Sequence, residues 1–225
     1  SYVRAVLSRC EICQNLNAQA LHQKMAPLPL HRIPHPSERT DTFYTCGIDC
    51  AGPFLTVQGR GKPREKRYML LFTCTMYRAV HIEMLKAMDT PCFLMAFTRF
   101  LQRRNRPRLI ISDNGTNFVK GDSDLKALWD LLQDNEELRA KYPEIAWQFN
   151  TPSAPHTGGI FERMIRSAKT AFYAIVRQKD LNDEELNTAF IIVKGILNSR
   201  PLTTVSNDPR DLSPLTPASF LKPGA

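Results

Sequence analysis

The sequence predicts a single α/β domain built on a mixed β-sheet, with short appendages at both ends. Its 225 residues are 43% hydrophobic, which is enough for one core of ordinary size. The apolar periodicity along the chain predicts the element order β-β-β-α-β-α-β-α-α. No apolar run approaches the length of a membrane span and no signal peptide is visible, so we expect no membrane partner.

The first half of the predicted domain contains three strands and one helix. The strands are predicted at residues 42–50, 66–76 and 79–85. The middle strand is apolar on both faces, which is typical of a central strand. Asp89 followed by Thr90-Pro91 predicts a capped helix start. The apolar face of that helix comprises Phe93, Phe97, Phe100 and Leu101.

The second half alternates strands with helices. Leu109 to Ser112 form a short apolar run closed by a turn signal, which predicts a buried strand with Asp113 at its carboxyl end. A short strand is predicted at residues 145–149 and a long helix from Ile160 to about Lys179. The predicted buried face of this helix comprises Ile165, Ala168 and Phe172. Asp122 and Asp183 are predicted to cap two further helices. The apolar face of the second comprises Leu186, Phe190, Val193 and Leu197. The loop 151–159 is either a mobile flap or a plain strand–helix connection.

Three carboxylates are each predicted at the end of an element. Asp49 follows a β-like run and precedes a Gly-Pro break, Asp113 follows the buried strand, and Glu162 lies in the first turn of a helix. Taken alone, Asp113 is as consistent with a simple turn as with a ligand, and Asp49 and Glu162 are more typical of a solvated acid or a helix start. Together they suit two hard divalent cations, which prefer oxygen ligands.

Three motifs, in this order, resemble the catalytic core of retroviral-type integrases. They are GIDCAGP, SDNGTNF and PHTGGIFERMIRSAK. KRYMLLFTCTMYRAVHIE and ILNSRPLT extend the resemblance to the BEL/Pao class of LTR retrotransposons. It covers roughly residues 39–204. It implies a ribonuclease-H-like fold with three antiparallel and two parallel strands flanked by helices, which has the predicted element order.

The resemblance also implies a chemistry, namely two-metal phosphoryl transfer on DNA. Asp49 would bridge two Mg²⁺ ions, Asp113 would hold one and Glu162 the other, with Mn²⁺ as a substitute metal. Water would first trim the 3′ end of the element, and the exposed 3′-OH would then attack target DNA. The implied DNA-binding residues are Asn114, His156, Arg166 and Lys169.

Charge is distributed unevenly along the chain. Residues 60–108 hold twelve Lys and Arg against three Asp and Glu, whereas the rest holds eighteen basic and nineteen acidic residues. Such a segment predicts either a surface that attracts a polyanion or a merely solubilising one. Arg166 and Lys169 follow Glu162 one and two turns along one helix face, where they could contact phosphates. A Glu–Arg surface pair is the alternative.

The resemblance divides the chain into four regions. They are a remnant of an N-terminal zinc module (1–25), a proline-rich linker (26–38), the catalytic core (39–200) and a proline-rich tail (201–225). Cys10 and Cys13 form a CxxC that supplies half of a zinc site, so Zn²⁺ is expected only with an upstream His pair. The other four cysteines are predicted core residues in a reducing compartment.

The resemblance places the chain in a retrotransposon polyprotein that acts on chromosomal DNA in the nucleus after cytoplasmic synthesis. A homo-oligomer is expected because two DNA ends must be joined together. Two alternatives stay open: a domesticated or decayed DNA-binding domain without catalysis, and a ribonuclease-H-like nuclease of another kind. Forty-eight residues separate Asp113 from Glu162, more than in retroviral integrases.

Overall fold

The computed structural model describes residues 2–11, 41–59, 62–112, 142, 144–149, 155–177, 179–203 and 214–221. Side chains are described within these ranges except at residues 2–4, 7, 149 and 155–162. Asp113, Asn114, Cys13 and the helix predicted to begin at Asp122 lie outside the described residues.

The elements follow the predicted order wherever they are described. The helices are α1 (Tyr2–Arg9), α2 (Thr90–Arg103), α3 (Pro155–Val176) and α4 (Asp183–Asn198), and a short 3-10 helix spans Pro217–Phe220. The strands are β1 (Thr45–Thr56), β2 (Glu65–Cys74), β3 (Val80–Leu85), β4 (Leu109–Ser112) and β5 (Ala146–Phe149). Within the described ranges, no helix combines the length and the apolar character that a membrane span requires.

The five strands form one mixed sheet in the order β3-β2-β1-β4-β5. β1 pairs antiparallel with β2 and parallel with β4, while β2 pairs antiparallel with β3 and β4 parallel with β5. This confirms the predicted combination of three antiparallel and two parallel strands. β1 lies at the centre of the sheet, and its residues 45–51 are buried on both faces.

Helix α2 covers one face of the sheet. Phe72 of β2 stacks on Phe100 of α2 with ring centroids 4.0 Å apart. Ile48 and Cys50 of β1 are buried in the same cluster. The helix begins as predicted, because the side chain of Asp89 accepts a hydrogen bond from the backbone N of Cys92 at 2.8 Å. Its predicted apolar face is buried: Phe93, Phe97, Phe100 and Leu101.

Helices α3 and α4 cover the opposite face. Phe54 of β1 contacts Phe172 of α3 and Phe190 of α4, with centroid distances of 4.8 and 5.3 Å. These edge-to-face aromatic contacts stabilise the packing of both helices against the central strand. The predicted apolar face of α4 is confirmed by the burial of Leu186, Phe190, Val193 and Leu197.

Strand β1 continues to Thr56, beyond the Gly52-Pro53 pair that predicted its end. The ladder with β2 shifts register around this pair, so it forms a bulge within the strand. Gly52 has φ of +147°, and a Cβ there would lie 2.7 Å from Cδ1 of Tyr68. The prediction that Asp49 lies at a strand end is therefore wrong, because the bulge absorbs the glycine and proline without ending the strand.

Helix α4 is capped by Asn182, not by Asp183 as predicted. The side chain of Asn182 accepts a hydrogen bond from the backbone N of Glu185 at 2.9 Å, and the Glu185 carboxylate accepts one from the backbone N of Asn182. Asp183 is the first helical residue, and its carboxylate instead accepts two hydrogen bonds from Arg67 at 2.9 and 2.8 Å. The adjacent Asn satisfies the cap and leaves Asp183 to tie β2 to α4.

Helix α3 begins at Pro155, five residues before the predicted start at Ile160. Residues 155–159 are therefore helical and do not form a loop, in contrast to the prediction for 151–159; residues 151–154 are not described. Glu162 is the eighth residue of the helix, so its predicted place in the first turn is wrong. Proline is compatible with a first helical turn, which lets the helix start there despite the following glycines.

The amide of Asn198 completes the hydrogen bonding of β3 at the edge of the sheet. It accepts a hydrogen bond from the backbone N of Val80 at 2.8 Å and donates one to its carbonyl at 2.9 Å. The Asn198 side chain thus makes the two hydrogen bonds that a further strand at this edge would make with Val80. Its position near the end of α4 couples that helix to the start of β3.

Candidate active site on the central strand

Asp49 is a buried carboxylate at the centre of the sheet. It lies opposite Leu71 of β2 and is 3% exposed. Its Oδ1 accepts a hydrogen bond from the backbone N of Cys50 at 2.7 Å. Ala51, Leu71 and Ile82 of the same sheet face are buried in the apolar cluster below α3 and α4. A carboxylate in such surroundings is costly to bury without compensating charge or hydrogen bonds.

Cys50 neighbours Asp49 but does not compete with it as a metal ligand. Burial raises the pKa of the Cys50 thiol well above its usual value, and the negative charge of Asp49 raises it further. The thiol therefore stays protonated at neutral pH, whereas a cysteine ligand must be deprotonated. The donor chemistry offered at this point of β1 is that of carboxylate oxygens.

Strand β4 ends beside Asp49. Its last residue, Ser112, pairs with Ile48 in the parallel ladder, one residue before Asp49. Asp113 follows directly in the sequence but is not among the described residues. The described backbone therefore brings the end of β4 to the strand position that carries Asp49, which is the edge where α/β sheets place ligands.

Helix α3 lies over the sheet face that carries Asp49. Met164, Ala168 and Phe172 are buried in the same cluster as Ala51 and Leu71. This largely confirms the predicted inner face of the helix, although Ile165 is only partly buried. Glu162 precedes Met164 on this helix, but its side chain is not described.

The structure thus brings together β1, which carries Asp49, the end of β4 and helix α3, which carries Glu162. Among the described side chains, which include Asp49 but neither Asp113 nor Glu162, no three His, Cys, Asp or Glu residues converge to hold a metal ion. An all-carboxylate set headed by Asp49 fits Mg²⁺, a hard cation with oxygen ligands. The assignment of Asp113 and Glu162 to that set stays a prediction.

The predicted DNA-binding residues lie partly within the described side chains. Arg166 is exposed on α3, and Lys169 is half-buried three residues further on. Tyr173 follows on the same face with 59% exposure. The side chain of His156 and all of Asn114 are not described. Arg166, Lys169 and Tyr173 therefore form a cationic and aromatic stripe along the outer surface of α3, which begins four residues after Glu162.

Many cations of the basic segment 60–108 are paired within the fold. Arg67 forms ion pairs with Asp183 and Glu65. Burial raises the pKa of the Asp183 carboxyl group, but hydrogen bonds, first of all those from Arg67, outweigh burial and lower that pKa below its usual value. Exposed pairs join Arg64 to Asp180 at 2.8 Å and Arg106 to Glu144 at 3.1 Å. The positive surface is thus weaker than the sequence count indicates.

Cys10 lies next to the end of the described N-terminal residues, which reach Glu11. It follows helix α1 and is partly exposed. Its predicted zinc partner, Cys13, is not described. The half zinc site stays a prediction.

Glu83 is a buried charged residue that the sequence patterns did not indicate as a site residue. Glu83 of β3 is 5% exposed and binds His81, Arg99 and Arg103 at 2.8, 2.6 and 2.8 Å. Burial alone raises the pKa of Glu83, but the hydrogen bonds from His81 and Arg99 outweigh it and lower the pKa from 4.5 to about 2. The available signal was a His-Ile-Glu alternation that places two polar residues on the inner side of a strand.

Comparisons with known proteins identify the fold. No protein-family model matches the chain, and no curated protein sequence matches it. One similar solved structure is the catalytic core domain of BIV integrase, with 16% identity, TM-score 0.49, and coverage of 80% of this chain and 93% of that one. Another is the simian T-cell lymphotropic virus intasome in complex with PP2A regulatory subunit B56 gamma. It has 14% identity, TM-score 0.53, and coverage of 99% of this chain and 66% of that one.

The strand order, the helices on both faces and the second of these likenesses agree with one another. The chain therefore has a ribonuclease-H-like fold, with a mixed five-stranded sheet between helices on both faces.

Proposed function

We propose that the chain is the catalytic core of a DDE-type integrase from an LTR retrotransposon of the BEL/Pao class. It would trim the 3′ end of the element and transfer that end into target DNA. The observation that carries the proposal is Asp49, a carboxylate that is 3% exposed on the central strand, beside the end of β4 and below α3. In a purely structural domain an apolar residue would be more favourable at that position.

The proposed metal ligands are Asp49, Asp113 and Glu162. Bound Mg²⁺, or Mn²⁺ in its place, supplies positive charge to the attacking and leaving oxygens of the DNA phosphate. Asp49 would contribute a fixed ligand, because the backbone N of Cys50 donates a hydrogen bond to its Oδ1 and its backbone pairs with Leu71 of β2. Such preorganisation lets the carboxylate act without rearrangement when charge develops.

The outer surface of α3 is proposed to hold the DNA strand. Arg166 and Lys169 lie one and two turns beyond Glu162, where side-chain cations can reach successive phosphates. Asn114 and His156 are proposed to contact DNA as well. The inner face of α3 is fixed by Phe172 against Phe54, so its outer face is presented on a rigid support.

Three features of the biological setting belong to the same proposal. The protein would act as a homo-oligomer, because two DNA ends are joined in one reaction. It would work in the nucleus after cytoplasmic synthesis. Cys10 and Cys13 would bind Zn²⁺ only together with a His pair from an upstream segment.

A strand-transfer assay with Mg²⁺ and an oligonucleotide of the element's end tests this proposal. We expect joined products from the natural sequence and none from Asp113→Asn or Glu162→Gln, with DNA affinity retained in both variants. Binding without cutting or joining would favour the domesticated DNA-binding domain. Cutting without joining would favour a different ribonuclease-H-like nuclease, and joining by Asp113→Asn would refute the metal assignment.

The role of Lys169 has a separate test. Lys169→Ala should weaken DNA binding and reduce the slope of log affinity against log salt by about one unit, the change expected for one lost phosphate contact. Lys179→Ala is the matched control, because Lys179 lies beyond the end of α3 and is 73% exposed beside Glu185. Equal changes in both variants would mean that the charge of Lys169 acts only at long range.

A further inference from the structure

A second polar site lies at the edge of the sheet, away from Asp49. Residues of strand β3 and its end and of helices α2 and α4 line a half-open pocket of about 430 Å³ there. Its polar lining consists of Glu83, Lys86, Arg99, Arg103 and Asn187. Glu83 pairs with Leu70, whose side chain is buried in the cluster below α2. Asp49 belongs to the opposite sheet face, so the two sites are separate.

Glu83 holds two guanidinium groups in fixed positions at the pocket wall. Its Oε2 accepts a hydrogen bond from Nε of Arg99 at 2.6 Å, and its Oε1 accepts one from Arg103 at 2.8 Å. Arg99 also donates to the carbonyl of Met84 at 3.2 Å. The carboxylate is 5% exposed, whereas the Arg99 and Arg103 side chains are 42% and 58% exposed. The buried carboxylate therefore fixes the orientation of both guanidinium groups, and the groups are still accessible to a ligand from the pocket.

Positive charge exceeds negative charge around this pocket. Lys86, Arg99 and Arg103 line it against the single carboxylate of Glu83, and among the described contacts Lys86 has no ion-pair partner. Lys194 and Arg104 are two further cations that interact electrostatically with this group. Burial lowers the pKa of Lys194, as do the charges of Arg104 and Arg103, and the pKa of Arg104 is lowered by burial and by Arg103. Cations that depress one another's pKa are stabilised by an added anion.

We infer that this pocket binds a phosphate group carried on a ligand of about nucleotide size. Two preoriented guanidinium groups and a lysine match the oxygens of a phosphate. The volume of about 430 Å³ falls within the usual range for small-ligand pockets, about 300–1,000 Å³. Met84, Cys92 and Met95 add a soft apolar wall that suits a sugar or base, and Asn187 adds an amide for hydrogen bonding. The source of the phosphate is either a free nucleotide or a nucleic-acid strand.

Pyrophosphate titration of the full chain in EDTA tests the inference, because EDTA silences any divalent-metal site. Calorimetry gives the affinity, and the side-chain Nε–H resonances of Arg99 and Arg103 report the place of binding. We expect saturable binding that shifts these two resonances. Lys86→Gln should weaken it about tenfold, the effect of one charge-assisted hydrogen bond. Lys86 does not contact Glu83, so this variant keeps the buried ion pairs.

Lys62→Gln is the matched control, since Lys62 is an exposed lysine in the loop before β2 and the net charge changes equally. Absence of saturable binding, equal weakening by both variants, or unshifted Arg99 and Arg103 resonances would each overturn the inference. Competition then identifies the source. If pyrophosphate displaces a single-stranded oligonucleotide and Lys86→Gln weakens the binding of both ligands, the pocket binds a nucleic-acid strand. If only pyrophosphate binding is weakened, it takes a free nucleotide.

Discussion

At the scale of single residues, Gly52 and Glu83 are two sheet positions that each depend on the residue type that occupies them. Gly52 lies in a backbone conformation that side chains rarely adopt, and its missing Cβ leaves room for Tyr68. Glu83 lies buried among three hydrogen-bonding partners, so its charge is required for their arrangement. The motif that contains Gly52 also contains Asp49, and the bulge therefore sets the path of β1 just beyond the candidate site.

Gly52→Ala should destabilise the protein by about 2 kcal/mol or more, because the new Cβ meets Cδ1 of Tyr68 at 2.7 Å and the carbonyl of Arg67 at 3.0 Å with φ at +147°. Thermal or urea unfolding measures the change. Gly195→Ala is the control, since nothing lies within 4 Å of a Cβ at that position in α4. It should stabilise by about 0.5–1 kcal/mol. Equal effects of the two substitutions would contradict this account of Gly52.

Glu83→Gln should lower the free energy of unfolding at pH 7 by about 2 kcal/mol, because it leaves Arg99, Arg103 and His81 without their shared carboxylate. The folded-state pKa of about 2 lies below the usual 4.5, so the stabilisation by Glu83 is fully present above pH 4.5. It is lost as the pH falls towards 2. Unfolding curves of both proteins across this window should therefore converge, and a constant difference would contradict the assignment.

At the scale of elements, side chains that bridge distant segments hold the layers together. Arg67 and Asp183 join β2 to α4, Phe54 and Phe172 join β1 to α3, and Asn198 closes the edge of β3. Periodicity predicts that the helices exist and which face is apolar, as α2 and α4 demonstrate. It does not predict these bridges, because partners more than a hundred residues apart leave no local signal.

Asn198→Ala should cost about 2–4 kcal/mol, because it leaves the buried N–H and C=O of Val80 without partners. Equilibrium unfolding measures the loss, and hydrogen exchange should show faster exchange of the Val80 amide. Asn105→Ala, at an exposed position after α2, should change stability by less than about 0.5 kcal/mol. If the Val80 amide stays as protected in Asn198→Ala as in the natural sequence, the edge-closing role is wrong.

At the scale of the whole molecule, the sheet could be predicted almost completely and the candidate site only in part. The order of strands and helices follows from apolar patterns, and three motifs indicate the three acids. The positions of Asp49 inside β1 and of Glu162 as the eighth residue of α3 could not be predicted. Glycine and proline near each acid locally favour the end of an element, whereas tertiary packing stabilises the strand and the helix across these residues.

The central claim is that Asp49, Asp113 and Glu162 share a site for paired divalent ions. Anomalous diffraction from crystals grown with Mn²⁺ tests it most directly. We predict two Mn²⁺ peaks about 3.5–4 Å apart, with carboxylate oxygens of Asp49 in contact with both. Crystals of Asp49→Asn should lack at least one peak. Ordered electron density for all three carboxylates at positions too far apart to share a metal pair, with no Mn²⁺ at Asp49, would contradict the claim.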